Sequence, residues 1–464
     1  MAPSTPTVSD SPAFDSKQWL ELVSKPLDRS DSKTGRADGG SVDGYQSAVP
    51  WGLMQRVDDP DPARAASQAI EDLQNGANGL ALVFAGAPNA FGFGLPSNLD
   101  TLRAALKDVP LQDVHLRVDV HPQSRASIDW LAELLQEKQV NPAGVHLSFG
   151  VDPASLFVGS GQLRMSLEAL EASLPQSLGG FFALSLPGVL LESDGRVYHN
   201  AGASEIQELG IILASAASHL KMFEDARQPL VYAMPHLGFA ISVDQDLVAS
   251  TAKLRALRLL WARMLSEYGI EPAPIPIHAE TSFRMLSARD PQTNIIRTTM
   301  ATFAAAIGGA DTISVLPHTL PVGLPDRDAR RIARNTCLVQ GIESGSQEFI
   351  SAHSAAVDSL AEHFCQGAWD EFSRIQSEGG VLRSIASGAI QARIAEERQA
   401  HLQRLSEGDR NLIGATLYAD AAGPDFTALQ ASPPKVGPEA AVTCEPLLAH
   451  RFEALIDDTE RSTN

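Results

Sequence analysis

The sequence predicts a (β/α)8 TIM-type barrel carrying an N-terminal arm and a C-terminal helical extension. Short apolar runs of strand length recur along the chain, and we count about seven or eight of them. Stretches with helical periodicity lie between most of these runs. At 464 residues, 44% hydrophobic and 20% charged, the chain is large enough to bury a closed core. Strands that alternate with helices require a parallel sheet, and a closed barrel is the common solution at this length. An open doubly wound sheet is the alternative, but no G-x-G-x-x-G follows the first strand.

The elements read as follows. Residues 1–48 are rich in Ser, Asp, Gly and Pro, with one helix-like island, Phe14 to Leu27, bearing Trp19, Leu20, Leu22 and Val23 on a narrow apolar face. It reads either as a disordered tail or as an arm that docks on a partner. Residues 49–340 form the barrel unit. Its rhythm starts at Asp61, with a helix over Ala65 to Asn75 ended by Gly76 and Gly79. Strands are expected at Leu80 to Phe84, Val114 to Val120, Gly144 to Gly150, Gly180 to Leu186, Leu230 to Ala240, Pro276 to Ser282 and Asp311 to Leu316. The strongest helix runs from Gln245 to Tyr268, with Leu247, Leu254, Leu257, Trp261, Met264 and Leu265 near helical spacing. Residues 341–464 lose the strand signal. Phe364 to Gln376 and Val381 to Leu405 read as helices, Asn411 to Ala415 as a short closing strand, and the Pro-containing remainder as a surface tail.

Lys plus Arg is 36 and Asp plus Glu is 56, a net charge of −20. That balance argues against nucleic acid and against an anionic membrane surface as partners. The three cysteines, Cys337, Cys365 and Cys444, are far apart, which fits a reducing cytoplasm and no thiolate metal site. Neither a signal peptide nor an apolar run of membrane-spanning length is evident.

In a barrel, chemistry belongs at the C-terminal ends of strands. The segment Ile277 to Ser282 stands out there. His278 can donate to a substrate carbonyl or move a proton, and Glu280 shares its face if the strand is regular. His115, His121, His146, His199, His236 and His318 also lie near strand ends, without a tight metal spacing. Ser148, Ser185, Ser242, Thr281, Ser282 and Ser314 stand where a filled barrel would use Val, Ile or Leu. Facing inward they would line a polar channel; facing outward they would only cap helices. Gly308-Gly309 precedes a strand, where glycine allows helix and sheet to approach closely.

Taken in order, the motifs resemble the methylmalonyl-CoA mutase family. They run from His278-Ala-Glu-Thr-Ser282 through Asp290 to Thr299 (D-P-Q-T-N-I-I-R-T-T), the Gly308-Gly309 pair and Arg331-Ile-Ala-Arg-Asn-Thr336. Tyr198-His-Asn-Ala-Gly202 and the helix around Trp261 support them, and the matches cover roughly residues 50 to 415. The resemblance implies a barrel that binds acyl-CoA along its axis, lined by small hydroxyl side chains. It implies adenosylcobalamin held by a further domain and a radical rearrangement of methylmalonyl-CoA to succinyl-CoA. By the same resemblance His278 would be catalytic, and Tyr198, His199, His236, Thr281, Ser282, Asn294 and Arg297 would bind substrate.

The departures are as informative. The D-x-H-x-x-G of the cobalamin domain is absent, and the chain ends where that domain is expected to begin. Pro235-His-Leu-Gly-Phe239 places His236 where catalytic chains carry an Arg for the substrate carboxylate, and the N-terminal R-G-x-Y-type segment has no clear counterpart. Together these are most like the small, non-catalytic subunit. The expected partner is then a large catalytic subunit that binds the adenosylcobalamin, in a cytoplasmic heterodimer. The alternatives are a catalytic acyl-CoA mutase barrel served by a separate cobalamin-binding chain, and a stand-alone barrel lyase or scaffold.

Overall fold

The computed structural model describes residues 50–173, 186–346, 354–419, 429 and 441–456. The arm with its Phe14 to Leu27 island, Ser185, most of the Gly180 to Leu186 segment and the Pro433-Pro434 region lie outside the described residues.

Eight parallel strands close into a barrel. In chain order the strands are β1 (Gly52–Val57), β2 (Gly79–Leu82), β3 (His115–Val118), β4 (His146–Val151), β5 (Gln162–Leu163), β6 (Val189–Asp194), β7 (Leu237–Val243), β8 (Ile277–Thr281), β9 (Thr312–Ser314) and β10 (Val442–Thr443). The barrel order is β1-β2-β3-β4-β6-β7-β8-β9, and β9 pairs back onto β1 through Gly52↔Thr312 and Met54↔Ser314. β5 and β10 form a separate antiparallel pair that ties the C-terminal segment to the barrel.

Among the described residues, four helices begin with an aspartate cap that satisfies otherwise orphaned backbone N–H groups. Asp61 caps α1 (Pro62–Gln74) and Asp152 caps α4 (Pro153–Ser160), each followed by a proline suited to the first helical position. Between them lie α2 (Leu99–Ala105) and α3 (Ser124–Glu137). Next come α5 (Arg196–Asn200), α6 (Glu205–Asp225), α7 (Leu247–Glu267, capped by Asp246), α8 (Thr293–Gly308) and α9 (Arg327–Ile342, capped by Asp326). The extension is α10 (Ala355–Ser377), α11 (Val381–Ala386) and α12 (Ala389–Ser406). α10 packs across α6 and α7 and gives that side of the barrel a second layer of helices.

Several elements differ from the sequence reading. β1 was not expected, because Gln55 and Arg56 interrupt its apolar pattern. Gln55 reaches Asp72 of α1 outside the barrel, whereas Arg56 turns into the lumen. The Gly180 to Leu186 segment lies largely outside the described residues; β6 follows it from Val189, and its Glu192 and Asp194 kept it from being read as a strand. β7 begins only at Leu237, because Pro229 and Pro235 lack amide donors and the chain before it forms two short 3-10 turns. Asn411 to Ala415 does not close the barrel; Ile413 bridges Leu417 in a tight turn. Val381 to Leu405 is two helices, broken at Gly388 with φ +80°. Gly308 serves a helix, not the sheet. A Cβ there would lie 2.6 Å from the Leu254 side chain, so glycine lets α8 approach α7.

The core lies between the strands and their helices. Trp261 of α7, 2% exposed, meets Phe239 of β7 edge-to-face at a centroid distance of 5.5 Å. Trp261→Ala should therefore destabilise the fold by about 3–5 kcal/mol, read as a lower urea midpoint with unchanged far-UV circular dichroism before the transition.

Candidate functional site

The lumen is filled by ion pairs that cross it. Arg117 on β3 donates Nη1 to Glu192 Oε1 on β6 at 2.6 Å, over the intervening β4, and Nε to Asp119 Oδ1 at 2.9 Å. Arg196, just beyond β6, donates Nη1 and Nη2 to the Asp119 carboxylate at 3.1 and 3.0 Å and Nε to Asp194 at 2.9 Å, and lies 3.3 Å from Glu280 of β8. Arg56 on β1 donates to Glu280 Oε2 at 2.9 Å, to Asp58 at 3.0 Å and to the Asn89 carbonyl at 2.8 Å. These side chains are no more than 4% exposed. Contacts between non-adjacent strands at such burial place the whole set on the axis. Over the C-terminal mouth, Phe91 stacks on Phe283 at 4.3 Å, and the Arg56 guanidinium lies 5.3 Å from the Phe91 ring.

The charges hold one another in place. Burial alone would raise Asp119, but the Arg196 and Arg117 charges outweigh it and hold the carboxyl far below its usual range. Burial also disfavours charge on Arg56, Arg117 and Arg196, and the carboxylates around each more than offset it. A buried ion pair adds little net stability against an apolar pair, but removing one partner strands a charge.

The residues singled out from sequence fall into three groups. His278 occupies the second position of β8, in the N-terminal half of the lumen and not at the C-terminal strand end. It meets Thr312 Oγ1 at 2.8 Å, and burial followed by Arg117 and Arg196 holds it neutral, well below the ordinary histidine range. His199 and Ser282 come together beneath the surface, whereas Tyr198, next to His199 on α5, packs in the apolar cluster with Phe157 and Ile394. His199 Nε2 meets Ser282 Oγ at 2.9 Å and its Nδ1 meets Glu208 Oε2 at 3.1 Å, which in turn accepts from Lys253 Nζ at 2.7 Å. The Ser-His-Glu order matches a nucleophile relay, but all three side chains are wholly buried and Tyr198 has no exposed surface. The third group stands apart from both. His236 lies just before β7 and meets the Gly188 carbonyl at 2.9 Å. Thr281 Oγ1 accepts from Leu316 N at 2.8 Å. Asn294 holds the Ser287 and His318 backbone, and Arg297 donates to Asn294 and to the Ile413 carbonyl.

Sequence reasoning missed Arg56, Arg117, Asp119, Glu192, Asp194 and Arg196. The signal was present as charges at a period of two inside strands, Arg117 with Asp119 and Glu192 with Asp194. Of the hydroxyls, Ser242 and Ser314 flank Glu280 in register on the neighbouring strands. The lumen is therefore polar, as those residues suggested, but packed with charge and not lined as an open channel.

The methylmalonyl-CoA mutase family model matches residues 37–451. The chain belongs to the methylmalonyl-CoA mutase family. It is 34% identical over 375 residues to the methylmalonyl-CoA mutase small subunit of Streptomyces virginiae, covering 79% of this chain and 59% of that protein. To the small subunit of Propionibacterium freudenreichii subsp. shermanii it is 28% identical over 346 residues, 72% of this chain and 51% of that protein. To the methylmalonyl-CoA mutase of Escherichia coli (strain K12) it is 31% identical over 229 residues, 48% and 32% of the two chains. The chain thus spans between half and three-fifths of the length of those two small subunits. Among the described residues, no helix is long and apolar enough to cross a membrane.

Two predictions follow from the geometry. Arg117→Met strands the Glu192 carboxylate, while Asp119 keeps Arg196, and should cost about 3–5 kcal/mol in urea unfolding. Adding Glu192→Gln should recover part of that loss. The second concerns acid. Burial lowers His121 to about 4 and His219 to about 3, so the unfolded chain takes up their protons first as pH falls below 6.5. Asp152, raised to about 6 by burial, acts in the opposite sense: its contribution is present at low pH and lost as pH rises through 6. The lowered histidines, which also include His115, His199, His278 and His401, outnumber the raised carboxyls of Asp152, Glu192 and Glu208, so the unfolded state binds more protons. The urea midpoint should therefore fall steadily from pH 7 to pH 4.

Proposed function

We propose that this chain is the small-subunit-type, non-catalytic partner in an adenosylcobalamin-dependent methylmalonyl-CoA mutase. The observation that carries this reading is the ion-pair plug. An acyl-CoA bound along the axis would have to displace Arg117–Glu192 and Arg196–Asp119, whose charges have no water to return to. Family membership and resemblance to proteins named small subunits support it. In this reading residues 49–340 are the barrel, with residues 1–48 an arm and 341–464 the extension. The chain forms a cytoplasmic heterodimer with a large subunit that binds both acyl-CoA and cofactor.

The residues here do not fit the cofactor. The 464 residues contain no D-x-H-x-x-G, and the Phe91–Phe283 stack stands at the mouth that would face a corrin. When bound in the partner, adenosylcobalamin supplies the radical that starts the carbon-skeleton rearrangement. The part of this chain is then to offer a rigid barrel to the catalytic one.

The test is reconstitution with a large subunit. With His278→Ala in this chain, activity should stay within a factor of about two, since a lost catalytic hydrogen bond would cost about 10²–10³-fold. A fall of that size in the folded variant would overturn the non-catalytic reading. Equilibrium dialysis of this chain alone against adenosylcobalamin should show no micromolar binding, and its appearance would place a cofactor site here.

A further inference from the structure

The N-terminal mouth of the barrel carries a histidine pair that the plug does not use. His115 opens β3 and His146 opens β4, and the two are register partners on adjacent parallel strands. Partners of this kind project from the same face of the sheet, with the strands about 4.8 Å apart. That face is the lumen. His115 Nε2 meets Ser148 Oγ at 2.9 Å, and two residues further along β3 Arg117 crosses to Glu192. The other ring nitrogen of His115 has no partner among the described residues. His146 is exposed and hydrogen-bonds none of them through its ring. From the opposite wall His278 points a buried Nε2 into the same lumen, also without a partner.

We propose that His115 and His146 form a two-histidine site for a divalent transition-metal ion, Zn2+, Cu2+ or Ni2+, at the N-terminal mouth of the barrel. Imidazole nitrogens suit these ions and not Mg2+ or Ca2+, which take oxygen ligands. The ligand form is the neutral imidazole, which an ordinary histidine adopts above about pH 6.5. Arg117, two residues along β3, is already engaged by the Glu192 and Asp119 carboxylates. Among the described residues no group of three or more His, Cys, Asp or Glu is placed to hold a metal ion, so water completes the coordination and the ion exchanges. Bound there, the metal clamps β3 to β4 just before the point where β4 shifts register against β6, between Ser148 and Val151. The site is independent of the small-subunit reading.

The test uses the full chain without a polyhistidine tag. Calorimetric titration with Zn2+ should show one site, and the Cu2+ electron paramagnetic resonance spectrum should show two nitrogen donors. His146→Asn, a change at an exposed position that leaves the fold intact, should reduce the donors to one and weaken Zn2+ by at least about tenfold. His115→Asn should do the same, while His363→Asn on the exposed side of α10 should change nothing. Zn2+ should raise the thermal midpoint of the native chain but not of His146→Asn. Unaltered Zn2+ binding in both His115→Asn and His146→Asn, loss of binding in His363→Asn, or no binding at millimolar Zn2+ would overturn the site.

Discussion

The guanidinium of Arg196, held between the carboxylates of Asp119, Asp194 and Glu280, is the contact on which the interior of this barrel depends. It links the ends of β3, β6 and β8, three strands that do not neighbour one another in the sheet. Once Arg196 is placed, Asp119 is available to Arg117, Arg117 to Glu192, and Glu280 to Arg56. In a water-excluded centre none of these groups can drop out alone, because each departure leaves an unpaired charge. The network therefore fixes the geometry of the barrel centre more than it adds net stability.

That arrangement bears directly on what the barrel can do. A filled barrel normally uses layers of branched apolar side chains. Here small residues on the walls, Gly79, Ala81, Ala240 and Ser314 among them, leave room for long charged side chains from other strands. The result is a lumen polar in composition but occupied in space. The reading as a supporting subunit rests on this, because a substrate path along the axis and a stable ion-pair network cannot occupy the same volume.

Outside the lumen, the structure uses the ordinary devices of an α/β fold. Aspartate caps start four of the described helices, Gly308 and Gly309 finish α8 close against α7, and an edge-to-face Trp261–Phe239 contact anchors one side of the core. The second buried cluster, His199 with Glu208, Lys253 and Ser282, joins α5, α6, α7 and the end of β8. Its triad-like order comes from satisfying polar groups that the packing had already buried. Seclusion from solvent separates it from a working nucleophile.

The alternation of strand-length apolar runs with helical periodicity determined the barrel class, because only a parallel sheet wrapped by helices buries both. It located β2, β3, β4, β8 and β9, and the helix around Trp261. It could not locate β1 and β6, whose Arg56, Glu192 and Asp194 resemble surface residues until their partners on distant strands are known. The ordered motifs around His278, Asn294 and Arg334 determined the family. They did not reveal that Asn294 and Arg297 brace loops or that His278 sits at the start of its strand. Closure of the barrel decided those points. Strand periodicity states which side of a strand a residue is on, but only closure brings Arg117 to Glu192 and Arg196 to Glu280, and only then does a polar lumen become a plugged one.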